Sequence, residues 1–160
     1  MPLFLSTYVN KVDRKARVSV PAPFRNALVG QNFPGIIAFP SFREAYQAIE
    51  GSGVDRMERL SASLDRLNPF SDEHDDFASV IFGAAAPLSF DGEGRIVLPE
   101  HLRAHAGITD QAAFVGRGAT FQIWEPDALS AFHEEARRRA RESRANLRLD
   151  PGRGPDDERR

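Results

Sequence analysis

A chain of 160 residues, 41% of them hydrophobic, can form one cored domain or two small halves sharing a core, and its composition excludes wholesale disorder. No stretch approaches the roughly 20 apolar residues of a membrane helix, the first residues lack the basic region of a secretory signal, and the lack of cysteine excludes disulfides, thiolate nucleophiles and zinc knuckles. A cytoplasmic protein is expected. The net charge of −2 does not by itself point to a nucleic-acid partner, although the acids crowd into Asp72-Glu73-His74-Asp75-Asp76 and Asp156-Asp157-Glu158 while many bases sit elsewhere.

In chain order, a short strand leads into Val12-Asp13-Arg14-Lys15-Ala16-Arg17-Val18-Ser19-Val20-Pro21. The pattern predicts a polar turn at the Asp, a strand over 17–20 closed by proline, and a short helix over 23–28 with Gly30 as terminator. A hairpin is expected next, with one strand over 36–39, a loop at Pro40-Ser41-Phe42-Arg43, and a second strand around Tyr46-Gln47. Val54, Met57, Leu60, Leu64 and Leu67 form one helical stripe, broken at Asn68-Pro69-Phe70. Ser71 then caps a helix with an acidic first turn, and Phe77, Val80 and Ile81 continue its apolar side.

At this point the chain repeats itself. Phe90-Asp91-Gly92-Glu93-Gly94-Arg95-Ile96-Val97-Leu98-Pro99 matches the first segment at a constant spacing of 78 residues, with Asp, Arg and Pro identical. Leu102-Arg103 answers Phe24-Arg25, residues 112–115 answer 36–39, and Phe121-Gln122 answers Tyr46-Gln47 after one residue of slippage. The second half is therefore expected to carry a strand over 95–98, a helix over 100–106 ended by Gly107, and a hairpin of 112–115 and 120–124 around Gly116-Arg117-Gly118-Ala119. A last helix starts near Pro126, carries Leu129 and Phe132, and turns basic from Arg137. The domain reading is a first half at 1–52, a helical connector at 53–84, a second half at 85–125, a C-terminal helix at 126–148 and a disordered tail at 149–160.

Strands of about four residues do not make stable hairpins alone, so the halves must share one barrel-like, pseudo-twofold core. That core brings two Asp-x-x-x-Arg turns into equivalent positions. An Asp at the start of such a turn can accept from backbone N–H groups two residues on, and Gly94 suits a positive φ. The Arg then leaves the first position of the next strand in a fixed direction. A guanidinium held in that way can fork onto phosphate or onto guanine O6 and N7. The same spacing also serves as a surface ion pair stapling a hairpin, and residue types alone leave both roles open.

Asp91-Gly92-Glu93-Gly94-Arg95-Ile96-Val97-Leu98-Pro99, with Leu102-Arg103 and Ala106-Gly107, resembles the MraZ family. Phe114-Val115-Gly116-Arg117-Gly118 with Phe121-Gln122-Ile123-Trp124 is similar to the family's closing hairpin, and the segment from Val12 to Pro21 to its N-terminal motif. The resemblance implies an α+β fold of two AbrB-like swapped-hairpin halves with helices between and after them. It implies a ring of about eight to twelve subunits. The function implied is a sequence-specific regulator, a repressor, of the division and cell-wall gene cluster, binding promoter repeats in double-stranded DNA and associated with the nucleoid. The family's contacts map onto Asp13 to Arg17 and Asp91 to Arg95. The DNA-binding set is then Lys15, Arg17 and Arg95 with Arg14 and Lys11, and Asp13, Asp91 and Gly94 shape the turns. One departure stands out: where the family's first motif reads Lys-Gly-Arg, this chain has Lys15-Ala16-Arg17, a cost of about 1 kcal/mol if that position needs positive φ.

Other constellations point less far. His101 and His105 have metal-pair spacing but no third ligand, so a surface or packing role is the reading. Gly116-Arg117-Gly118 lacks the Lys and helix of a phosphate loop. Arg137-Arg138-Arg139-Ala140-Arg141 alternates with Glu134, Glu135 and Glu142, as a solvated helix end does. Asp91 and Glu93 as acid–base carboxylates have no nucleophile beside them. No catalysis, cofactor, metal, membrane or small-molecule substrate is expected; the rival reading is a ring-forming scaffold whose Arg turns only staple hairpins.

Overall fold

The computed structural model describes residues 3–152. The part of the expected tail from 153 on lies outside the described residues. The architecture is α+β. The strand β1 (Thr7–Lys11), strand β2 (Arg17–Ser19), helix α1 (Ala22–Ala27) and hairpin β3 (Gly35–Pro40) and β4 (Ala48–Ser52) form the first set. Helices α2 (Val54–Leu64) and α3 (Asp72–Phe77) and a π-helical turn (Ala78–Phe82) follow. Then β5 (Ala86–Ser89), β6 (Arg95–Val97), α4 (Glu100–Ala106), β7 (Gln111–Gly116) and β8 (Phe121–Trp124) repeat the first set in the same order, ahead of α5 (Pro126–Ser143). Contacts group the chain into one unit up to Leu129 and another from Ser130.

The halves exchange strands. In the six-stranded antiparallel sheet the order is β1-β7-β8-β4-β3-β5, so each half lends its first strand to the hairpin of the other. Tyr8 of β1 faces Phe114 of β7, and Leu88 of β5 faces Ile36 of β3. The second strands, β2 and β6, stay out of this sheet and pair with each other, Val18 opposite Ile96. Val18 and Ile96 are also repeat equivalents, so the pseudo-twofold axis runs between them. It leaves the sheet between Glu50 and Gln122, which face each other in the β4–β8 pair. A three-residue strand has too few ladder bonds to stand alone. Pairing with its counterpart is how each half completes itself.

One sheet face and the β2–β6 ribbon enclose the core. Ile36, Ala38, Ile49, Phe114, Phe121 and Ile123 from the sheet meet Val18, Val20, Ile96 and Leu98 from the ribbon, with Phe24 of α1 and Leu102 of α4 between. Phe24 stands edge-on to Phe4 at 5.3 Å and to Tyr8 at 5.7 Å, the offset geometry that ring quadrupoles favour. The opposite sheet face carries Glu50, Gln122 and Trp124. There the buried Gln122 amide donates to Glu50 (2.7 Å), and its oxygen accepts from Arg117 Nη1 and Trp124 Nε1 (both 2.9 Å). A buried amide so fully paired avoids the desolvation cost of an orphaned one.

Most expected elements are present, and their limits have physical causes. Gly107 ends α4 in the left-handed region at φ 66°, and the Ser71 hydroxyl accepts from the N–H of His74 at the start of α3. Gly116 lies against the backbone of Phe4, which a Cβ would meet at 2.4 Å, so that turn receives the N-terminal segment. Two expectations are corrected. Tyr46-Gln47 is not the second strand of the first hairpin; β4 begins at Ala48, and Ile49-Glu50 is the counterpart of Phe121-Gln122. Tyr46 is held in the loop instead, its N–H donating to the Arg43 carbonyl (2.9 Å) and its ring lying 4.6 Å under the Arg43 guanidinium. Leu67 falls beyond α2, which stops at Leu64.

Ala16 occupies the left-handed region at φ 61°, as its repeat equivalent Gly94 does at 74°. An L-residue with a Cβ is strained there. Ala16→Gly is expected to raise unfolding free energy by about 1 kcal/mol, seen as an upward shift of roughly 2–4 °C in a thermal melt.

Candidate nucleic-acid interface

Each Asp-x-x-x-Arg turn is organised by its own carboxylate. In the first, Asp13 Oδ1 accepts from the backbone N–H groups of Lys15 and Arg17, both at 2.9 Å, and Oδ2 accepts from Arg17 Nε at 2.7 Å. In the second, Asp91 Oδ1 accepts from the N–H groups of Glu93 and Arg95 at 2.9 Å, and Oδ2 from Arg95 Nε at 2.9 Å. The main chain closes both loops the same way: Asp13 N–H donates to Arg17 (3.0 Å) and Asp91 N–H to Arg95 (2.8 Å). The Asp grips its Arg through Nε. The two terminal nitrogens, which fork onto an oxyanion, are not consumed by that bond.

The ribbon then aims the two arginines. Arg17 pairs with Val97 and Arg95 with Ser19, so Arg17, Ser19, Arg95 and Val97 share one face, while Val18 and Ile96 point into the core. The Arg side chains are 35% and 26% exposed, neither buried nor on opposing faces. Each turn is stitched to the other half: Val20 N–H donates to the Gly94 carbonyl (3.1 Å) and Leu98 N–H to that of Ala16 (2.9 Å). Lys11 ends β1 just ahead of the first turn, and Lys11, Arg14 and Lys15 are all exposed.

Two further arginines belong to this construction and carry no role in the sequence reading. Arg25 Nε donates to the Val20 carbonyl and Arg103 Nε to that of Leu98, both at 3.1 Å. A Cβ on Gly94 would lie 2.5 Å from Arg25 Nη1, so the guanidinium of one half packs on the turn of the other. Their signal was the repeat itself, since Phe24-Arg25 answers Leu102-Arg103. Glycine at 94 thus suits both its positive φ and the room that the Arg25 guanidinium takes.

The carboxylates respond to these donors. Asp13 is held below the ordinary Asp range, chiefly by the N–H of Arg17 and, against some desolvation, by the Arg17 side chain and the N–H of Lys15. Asp91 is lowered in the same way, first by the N–H of Arg95. Arg95 is in turn held more firmly protonated, first by its bond to Asp91, with Glu93 and Asp13 adding through space. The second turn carries an extra acid: Glu93 Oε2 lies 3.7 Å from Arg95 Nη1.

His101 is exposed on α4, His105 has its Nε2 buried without a partner, and among the described residues no three metal-donor side chains converge. On α5, Arg138 pairs with Glu135 and Glu142 and Arg139 with Glu135, which neutralises much of that basic run within the helix.

Residues 81–149 match the family model described as "MraZ protein, putative antitoxin-like". The chain is 49% identical over 148 residues to the transcriptional regulator MraZ of Rickettsia rickettsii, covering 92% of this chain and 98% of that protein. It is 48% identical to the protein of that name from Rickettsia felis over the same shares of both chains, and 46% identical over 149 residues to the one from Rickettsia bellii.

Because both Asp values are lowered on folding, their contribution to stability is complete above the unfolded value of about 3.9 and is lost as pH falls through the lowered folded values. Asp13→Asn is expected to be less stable than the parent at pH 7 and to lose less on acidification to pH 3. Denaturant midpoints at the two pH values check this.

Proposed function

The chain belongs to the MraZ family of transcriptional regulators, and from that premise we propose that it binds double-stranded DNA sequence-specifically through the outward face of the β2–β6 ribbon. The observation that carries the reading is the placement of Arg17 and Arg95 on one half-exposed face, each held at Nε by its own Asp. A B-DNA major groove admits a two-stranded ribbon, and an arginine with free terminal nitrogens can bridge guanine O6 and N7 or fork onto phosphate. Lys15, Arg14 and Lys11 supply attraction to the backbone around the first turn; Asp13, Asp91 and Gly94 set its geometry and that of its counterpart. The division of the chain into a first half at 1–52, a connector at 53–84 and a second half at 85–125 is part of the same reading.

One subunit offers few uncompensated bases, so we infer a ring of subunits acting on successive promoter repeats. Linked weak contacts gain affinity from their effective concentration without any new bond. The target is the division and cell-wall gene cluster, the sense repression, and the place of action the nucleoid in the cytoplasm. The protein works by binding and uses no cofactor.

The rival, a scaffold whose Asp–Arg pairs only staple turns, gives the opposite result on one variant. Fluorescence anisotropy of the protein with a duplex from upstream of its own gene is expected to show binding that weakens steeply with salt. Arg17→Ala is expected to lose at least tenfold in affinity while light scattering shows the oligomer unchanged. A parent that binds no duplex, together with an Arg17→Ala oligomer that dissolves, would favour the scaffold.

A further inference from the structure

The pseudo-twofold axis makes the two turns equal in backbone and unequal in charge. Repeat equivalence places Lys15 opposite Glu93 in the scheme: both sit two residues after the organising Asp, and both give their N–H to its Oδ1 at 2.9 Å. The first turn therefore sets three bases against one acid, and the second one base against two acids. Geometry makes the difference local to the arginines. Arg17 meets one carboxylate, that of Asp13, at Nε. Arg95 meets Asp91 at Nε and, at 3.7 Å, Glu93 at Nη1, one of the nitrogens a DNA contact would use. The Glu93 side chain is 75% exposed, so no packing requires an acid there.

A phosphate approaching Arg95 meets Glu93 as a like charge. A base edge does not. The cytosine N4 amino group donates to a carboxylate, and guanine O6 and N7 accept from a guanidinium. We propose that Glu93 is a selectivity residue, which withholds Arg95 from the phosphate backbone and yields it to a base edge that can also donate to the carboxylate. The inference rests on the DNA-binding reading above. It adds a division of labour: the first turn grips backbone of any sequence, and the second weakens that grip wherever its own two side chains are not both satisfied. Glu93 thus lowers affinity overall and widens the gap between the right duplex and the wrong one, the quantity that matters against an excess of competing sites.

The test compares the full-length parent, Glu93→Gln and Arg17→Ala on two duplexes of equal length, one from upstream of the protein's own gene and one of random sequence, across a salt series. Glu93→Gln keeps the side chain's size and removes its charge. It is expected to bind the random duplex about five- to tenfold more tightly than the parent, with a log–log salt slope steeper by about one unit, as one more phosphate contact gives. Its gain on the upstream duplex is expected to be smaller, so the ratio of the two affinities falls. Affinities within twofold of the parent on the random duplex would overturn the inference, as would an equal gain on both duplexes or weaker binding to both. In each of those outcomes a parent that binds and an Arg17→Ala that does not leave the DNA-binding reading standing. A parent that binds neither duplex overturns that reading and the inference with it.

Discussion

A single carboxylate organises each half of the site. Asp13 and Asp91 each take up two backbone N–H groups and one guanidinium nitrogen within a five-residue turn. Without that acceptor the amides would point at solvent and the turn would have many conformations in place of one. With it, the arginine that follows leaves the turn at a fixed angle as the first residue of a strand. The rest of the structure serves to bring these two turns together. Strands too short to persist alone are exchanged between halves, the ribbon of β2 and β6 forms on the pseudo-twofold axis, and the carbonyls of Ala16 and Gly94 are each bonded by the opposite half. Neither turn can hold its shape if the other half unfolds, which couples the stability of the core to the geometry of the binding face.

The same scaffold carries unlike chemistry. Ala16 tolerates a backbone conformation that its counterpart occupies as glycine, and Lys15 answers Glu93. Symmetry of backbone with asymmetry of charge lets one subunit present two different contacts at a spacing the fold determines. The low net charge of the chain is then no obstacle, because attraction is confined to the first turn and its neighbours, and multiplied by self-assembly in the function proposed here.

Much of this was legible in the residues. The spaced identities of Asp, Arg and Pro announced the repeat, and the repeat implied both the shared core and the paired turns. The first hairpin departs from the repeat because its register is not constant beyond the helix: a longer loop, closed by Arg43 over Tyr46, places Glu50 and not Gln47 opposite Gln122. Hydrophobic pattern cannot locate such an insertion when Tyr46 and Ile49 are both plausible strand residues. Arg25 and Arg103 were visible as a repeated pair, yet their role depends on carbonyls five residues upstream and, for Arg25, on a turn in the other half of the chain. Strand exchange lies likewise beyond local pattern and is implied only by the family resemblance, since β1 has the same residue pattern whichever hairpin it joins.

Because the chain contains no cysteine, one can be placed at will and carry a photocrosslinker. The most direct test of the binding face puts it at Ser19, which is exposed on the ribbon beside Arg95, and separately at Phe70, which is 95% exposed between α2 and α3. Irradiated with a duplex from upstream of its own gene, the Ser19→Cys conjugate is expected to attach to DNA in good yield and the Phe70→Cys conjugate to stay at background. Equal attachment from both positions, or attachment from Phe70 alone, would contradict the assignment of the paired arginine turns as the surface that meets DNA.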